Sequence, residues 1–174
     1  MMSKGKFLGA LLATSVSVAA SAGVNAETIK IGTEGAYPPF NYYTADGQLA
    51  GFDIEIGKAL CSEMNVECEF VAQDWDGIIP ALLAGKYDMI LASMFITDER
   101  KQQVSFSAPY QASAMTFVVD KQSGIKDVSP EAMKGMIIGA QGSTTQAEYL
   151  LAKYPDSEVR LYPTQDAVNL DLVS

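Results

Sequence analysis

The segment Met89-Ile90-Leu91-Ala92-Ser93-Met94-Phe95-Ile96-Thr97-Asp98-Glu99-Arg100 constrains the fold more than any other part of the chain. An apolar run of strand length meets a Thr-Asp-Glu triplet that reads as a helix start. Arg100 then falls in the first helical turn. That end of a helix already carries a partial positive charge from unpaired N–H groups. A cation is placed well there if an anion sits opposite, so that backbone N–H groups and a guanidinium fork converge on one carboxylate. The other reading pairs Arg100 with Asp98, Glu99 or a distant acid, or leaves it in water. The segment alone leaves both open.

The same strand–helix rhythm recurs along the chain. Thr28 to Gly32 alternates as a strand does, and Ile54 to Met64 repeats Ile56, Ala59, Leu60 and Met64 at helical spacing. Tyr37-Pro38-Pro39-Phe40 reads as a loop and Ala45-Asp46-Gly47-Gln48 as a turn. Glu67 to Val71 reads as a strand, Trp75 to Gly85 as a helix stopped at its glycine, and Tyr87 to Ala92 as a strand. Further strands are expected at 115–119, 136–140 and 159–162, and helices at 130–134, 147–153 and 166–173. This alternation predicts an α/β fold with largely parallel sheets. Gln141 to Thr145 repeats the pattern of a strand end followed by a hydroxyl-rich helix start. Ligands bind at such strand ends. Two of them, far apart in sequence, predict two lobes facing one cleft, with 111–119 as the crossing.

Residues 1–26 have the three parts of a secretory signal peptide: Lys4 and Lys6, an uncharged apolar run from Phe7 to about Ala20, and Val24-Asn25-Ala26 before Glu27. Cleavage there predicts export to an oxidising compartment. It removes two lysines and no acids, moving the formal net charge from −9 to −11. Such acidity disfavours nucleic acid and anionic membrane surfaces as partners. In an oxidising compartment a Cys61–Cys68 disulfide is the default, contributing about 2.5 kcal/mol by loop closure. Two cysteines with no histidine make no usual zinc set, and the lack of histidine removes the commonest general base. No cofactor or metal is expected.

Seven motifs, in order, resemble the extracellular solute-binding proteins of family 3, the amino-acid receptors of bacterial ABC importers. They are Gly32-Thr33-Glu34-Gly35-Ala36-Tyr37-Pro38-Pro39-Phe40, Gly51-Phe52-Asp53-Ile54-Glu55-Ile56-Gly57, Asp74-Trp75-Asp76-Gly77-Ile78-Ile79-Pro80-Ala81-Leu82, Lys86-Tyr87-Asp88, Ile96-Thr97-Asp98-Glu99-Arg100, Phe106-Ser107-Ala108-Pro109-Tyr110 and Gln141-Gly142-Ser143-Thr144. The resemblance runs from Glu27 to Ser174. It is strongest to the branch that includes the lysine/arginine/ornithine-binding and opine-binding proteins, which the Cys61–Cys68 pair also fits. It implies a periplasmic-binding-protein-like type II fold of two hinged lobes that close on a ligand. Lobe 1 would span 27–112, and the hinge strand with part of lobe 2 would span 113–174. The chain stops at Ser174, before the second lobe and the return crossing of that fold are complete. It therefore reads as a fragment or a truncated product, with the usual acidic partner of the ligand α-amino group outside it.

The resemblance also implies a site. Arg100 would grip the ligand α-carboxylate, for which Arg suits better than Lys. Ser93 and the backbone of Ala92 and Phe95 would line the same place. The Phe95 ring would either trim the pocket or pack into the core. Tyr37 and Trp75 would enclose the ligand side chain, with cation–π attraction of about 0.5–2 kcal/mol each. Glu34 would face a distal positive charge. Ala140, Ser143 and Thr144 would meet the carboxylate on closure, with Ser143 also a helix cap. Met64, Met89, Met94, Met115, Met133 and Met136 read as core filler, and Lys121, Lys126 and Glu131 as a solvated face. The implied function is binding, without catalysis, of arginine, ornithine, lysine or an opine by a monomer that delivers it to a membrane permease. Two further readings are a dehydratase on the same scaffold and the ligand-sensing domain of a receptor.

Overall fold

The computed structural model describes residues 27–174, so the segment expected to be a signal peptide lies outside the described residues. Strand β1 (Thr28–Thr33) is the centre of a three-stranded parallel sheet. It pairs in parallel with β5 (Glu67–Ala72) on one side, from Thr28 opposite Glu67 to Thr33 opposite Ala72. On its other side lies β6 (Met89–Ile90), with Ile31 opposite Met89. A parallel neighbour needs a crossover, and helix α1 (Phe52–Met64) supplies it between β1 and β5. Asn65 ends this helix in the left-handed conformation, at φ 55°. The Cys61–Cys68 disulfide then ties it to β5.

A 3-10 turn (Trp75–Gly77) runs into α2 (Ile78–Leu83), the crossover to β6. Tyr87 closes this corner: its ring lies over Gly32, and its hydroxyl donates to the Ile78 carbonyl. A Cβ on Gly32 would come within 2.5 Å of that ring, so only glycine fits there. The strand expected over 87–92 shortens to two residues because only Met89 and Ile90 meet β1. Between β1 and α1 lies a small antiparallel sheet of β2 (Ala36–Tyr37), β3 (Asn41–Tyr43) and β4 (Leu49–Ala50). Strands this short carry no readable alternation, and the double proline between β2 and β3 hides them as a loop.

The chain next forms the short helix α3 (Asp98–Lys101) and then runs irregularly. The strand expected at 115–119 is absent: a strand exists as part of a ladder, and no backbone partner meets this segment among the described residues. Likewise 130–134 is a turn, stopped by Gly135 at φ 75°. A second parallel pair follows, β7 (Ile137–Gln141) with β8 (Glu158–Tyr162), joined by α4 (Thr145–Lys153) and followed by α5 (Gln165–Val173).

The packing centres on separate cores. Ile31, Cys61 and Leu91 form one cluster on the first sheet, and Ile78, Ala81, Tyr87 and Ala92 another. Met133, Ile138, Ala140, Ala147, Leu150 and Tyr154 form a core of their own around β7 and α4. Of the methionines expected as core filler, Met133 is buried, and Met89 and Met94 pack against the first cores. Met64, Met115 and Met136 are exposed, which corrects the expectation for them: an unbranched apolar residue is read as core by type, whereas the face it occupies is decided by packing. Lys121, Lys126 and Glu131 are exposed, as expected.

Candidate functional site

The C-terminal ends of β1, β6 and β7 converge on one small cavity of about 40 Å³. Glu34, Tyr37, Trp75, Ala92, Ser93, Phe95, Arg100 and Thr144 all line it, together with Gln141, Thr145, Gln146 and Gln165. Two of the residues expected here stand elsewhere. The Ala140 side chain belongs to the core around β7 and α4, hereafter the second core, because strand alternation turns it away from the cleft. Ser143 is exposed and offers its backbone carbonyl to the site, while the helix cap is Thr144. Thr144 Oγ1 accepts from the Ala147 N–H at 3.1 Å and donates to the Gln141 carbonyl at 2.7 Å.

Arg100 is held before any ligand is considered. Thr97 caps α3, its Oγ1 accepting from the Arg100 N–H at 3.1 Å. The guanidinium donates from Nη1 to the Phe95 carbonyl at 2.9 Å and from Nη2 to the Ser143 carbonyl at 3.3 Å. It lies 5.4 Å from the centre of the Trp75 ring. Trp75 Nε1 donates to the same Ser143 carbonyl at 2.8 Å. Asp98 pairs with Lys101 instead, and Arg100 has no acidic partner within ion-pair distance among the described residues. Burial lowers its pKa, but from a value so high that the guanidinium stays charged. It is a partly desolvated cation held by two carbonyls and the Trp75 ring, with Glu148 and Glu99 acting on it beyond ion-pair distance.

Glu34 is the counterpart. It is 9% exposed, accepts from Gln141 Nε2, and has no cationic partner among the described residues. Burial pushes its carboxyl above the ordinary range; the Gln141 bond opposes this, and Asp74, Asp166 and Asp76 add to it by like-charge repulsion. The cavity therefore carries a partly desolvated cation in Arg100 and a partly desolvated anion in Glu34.

Below the site lies a network that the sequence reading missed. Asp53, in the first turn of α1, has no exposed surface. Its carboxylate accepts from Asn41 Nδ2 at 2.8 Å, Ser93 Oγ at 3.0 and 3.1 Å, and the Tyr110 hydroxyl at 2.9 Å. Asn41 Oδ1 in turn accepts from the Gly35 N–H at 2.8 Å. Ser93, at φ 49°, also donates its N–H to the Tyr110 oxygen and accepts from Gln111 Nε2. Asp53 thus ties the loops after β1 and β6 to the irregular segment at Tyr110 and Gln111. Asp53→Ala leaves several donors without their acceptor, and we expect a loss of about 3 kcal/mol or more in urea unfolding. A loss near zero would show that water replaces the carboxylate. An acid beside Gly51 reads as a first-turn helix acid, so sequence carried only a weak signal for this role.

The chain matches the model of the bacterial extracellular solute-binding proteins, family 3, over residues 29–169. It is 39% identical to the octopine-binding periplasmic protein of Rhizobium meliloti, over 90% of this chain and 61% of that protein. It is 42% identical to the L-arginine-binding protein of Pseudomonas aeruginosa, over 99% of this chain and 66% of the relative. The chain thus spans less than two thirds of the length of these relatives. Among solved structures, an ancestral amino acid-binding protein, a precursor of cyclohexadienyl dehydratase, matches with a TM-score of 0.79 and 37% identity, over 84% of this chain and 65% of that one.

Proposed function

The chain belongs to the bacterial extracellular solute-binding proteins of family 3, with the type II periplasmic-binding-protein fold, and from that premise we propose that it binds a cationic amino acid or a related opine. It delivers the ligand from the periplasm to the permease of an ABC importer, acting as a monomer. Residues 1–26 direct export, 27–112 form the first lobe, and 113–174 form the crossing and part of the second.

One observation carries this reading: Arg100 and Glu34, neither with an ion-pair partner among the described residues, line the same cavity. A cationic amino acid complements both, its α-carboxylate taking the guanidinium fork and its distal cation meeting Glu34. Tyr37 and Trp75 line the same cavity and supply aromatic surface for the side chain. Asp74, Asp76 and Asp166 surround Glu34 with further negative potential, which disfavours an acidic ligand. Ala92 and Phe95 add no polar side-chain contact.

A thermal-shift series with arginine, ornithine, octopine, leucine and glutamate tests the proposal. A true ligand at 100 times its dissociation constant adds about 2.7 kcal/mol, which raises the midpoint by roughly 5–10 °C. A rise with leucine or glutamate alone would refute the charge argument. The likeness to a dehydratase precursor keeps one second reading, an enzyme acting on a cyclic carboxylate gripped by the same Arg100. Product formed from such a substrate by the chain, and lost in Arg100→Ala, would favour it.

A further inference from the structure

Gln141 stands at the end of β7, is 5% exposed, and reaches from the second core to a carboxylate 107 residues away in sequence. Its backbone is fixed from two sides. It pairs with Tyr162 in the β7–β8 ladder, and its carbonyl accepts from Thr144 Oγ1 at the cap of α4. Its side-chain orientation is fixed as well. Nε2 donates to Glu34 Oε1 and, at 3.2 Å, to the Pro163 carbonyl. A carbonyl and an ionised carboxylate are acceptors, so the amide must turn its nitrogen towards both, and both of its hydrogens are used. One oxygen of Glu34 is thereby taken, and the other is left for a ligand.

The neighbouring residues extend the same arrangement. Two positions on, the Ser143 carbonyl accepts from Trp75 and Arg100. A single loop of the second core therefore touches the Glu34 part of the site through Gln141 and the Arg100 part through Ser143. The groups that bear on Glu34 electrostatically are Asp74 and Asp76 around the 3-10 turn and Asp166 in the first turn of α5, all acidic. Against them, the protein offers Glu34 the Gln141 amide.

We propose that Gln141 is a specificity-determining, positioning residue, holding Glu34 ionised and aimed so that the second lobe sets the preference for a cationic side chain. This rests on the functional reading above and deepens it. Without the amide, burial and the three acids act on Glu34 with only the Arg100 charge in the same cavity against them. The carboxyl is then protonated at higher pH and grips a cation less well, while a neutral ligand of the same shape is indifferent.

The test compares L-arginine with L-citrulline, its uncharged ureido isostere, by calorimetry across pH, and follows the Glu34 carboxyl by ¹³C NMR in the ligand-free chain. Gln141→Met keeps the volume and removes the donor. Gln141→Asn, too short to span both acceptors, serves if the thioether does not pack. We expect arginine to bind about tenfold more weakly, citrulline to change less than about twofold, and the Glu34 titration midpoint to move up. In a Glu34→Gln background the Gln141 substitution should cost arginine affinity nothing further. Equal losses for the two ligands overturn the inference, as does an unmoved Glu34 midpoint in a chain that binds arginine. If the unsubstituted chain binds neither amino acid, the functional reading itself fails, and the inference with it.

Discussion

Arg100→Ala should weaken binding of every amino acid ligand by about a hundredfold or more, whatever its side chain. The expected size follows from the chemistry. A guanidinium fork on a carboxylate makes two charge-assisted hydrogen bonds, each worth about 1.5–3 kcal/mol, and a factor of ten is about 1.4 kcal/mol. The side chain is already placed for this. The Phe95 carbonyl holds one end of the fork and the Trp75 ring flanks it. Little side-chain entropy therefore remains to be lost on binding. Arg100→Lys keeps the charge but not the fork, and should fall between, at about tenfold weaker. Because the α-carboxylate is common to all candidates, arginine and citrulline should lose affinity equally. Calorimetry on the two ligands checks this, with circular dichroism to verify that the variant is folded. A loss confined to arginine would mean that Arg100 recognises something other than the carboxylate.

The cation at the start of α3 also shows what a sequence can and cannot convey. Thr97 as cap and the acids of the first turn follow from local rules, and the structure keeps both; α3 is only four residues long, so Arg100 falls in its last turn as well. The partners of the guanidinium do not follow from local rules, since the Ser143 carbonyl comes from 43 residues away. The same division runs through the molecule. Parallel strands, crossover helices and a helix start after Gln141 were legible because each has a short-range period or a terminal signature, although the cap of α4 is Thr144 and not the expected Ser143. The Asp53 network was not, because its partners lie 12, 40 and 57 residues away and include a tyrosine with no periodic reason to point inward. Gln141 sat inside a recognised motif, yet its amide acquires a role only where β1 and β7 end face to face. The failed strand at 115–119 has the converse cause: its composition suits a strand, but pairing is a property of two segments.

Glu34→Gln should make the ligand-free chain more stable at neutral pH and a poorer receptor for cations. Burial is the main reason the Glu34 carboxyl titrates above the ordinary range. A carboxyl raised on folding favours the fold in its protonated form. That stabilisation is complete below the unfolded pKa and is lost as pH rises through the folded value. Asp53, also raised chiefly by burial, acts with the same sign. The unsubstituted chain should therefore lose stability as pH rises from the ordinary carboxylate range through the raised folded values, and the variant should lose less of it, with the Asp53 share remaining. In the variant the oxygen of the introduced amide still accepts from Gln141, so the contact across the cleft survives. Binding moves the other way. A cationic ligand repays the cost of ionising Glu34, so arginine affinity in the parent should rise with pH through the raised value and then level off. The variant should bind arginine about 10–100-fold more weakly, with no such rise, and citrulline nearly as before. Urea midpoints across pH and parallel titrations with the two amino acids read both halves. A variant less stable than its parent at neutral pH would mean that Glu34 is solvated well enough to carry its charge at no cost to the fold. The site would then have no stored electrostatic deficit for a ligand cation to relieve.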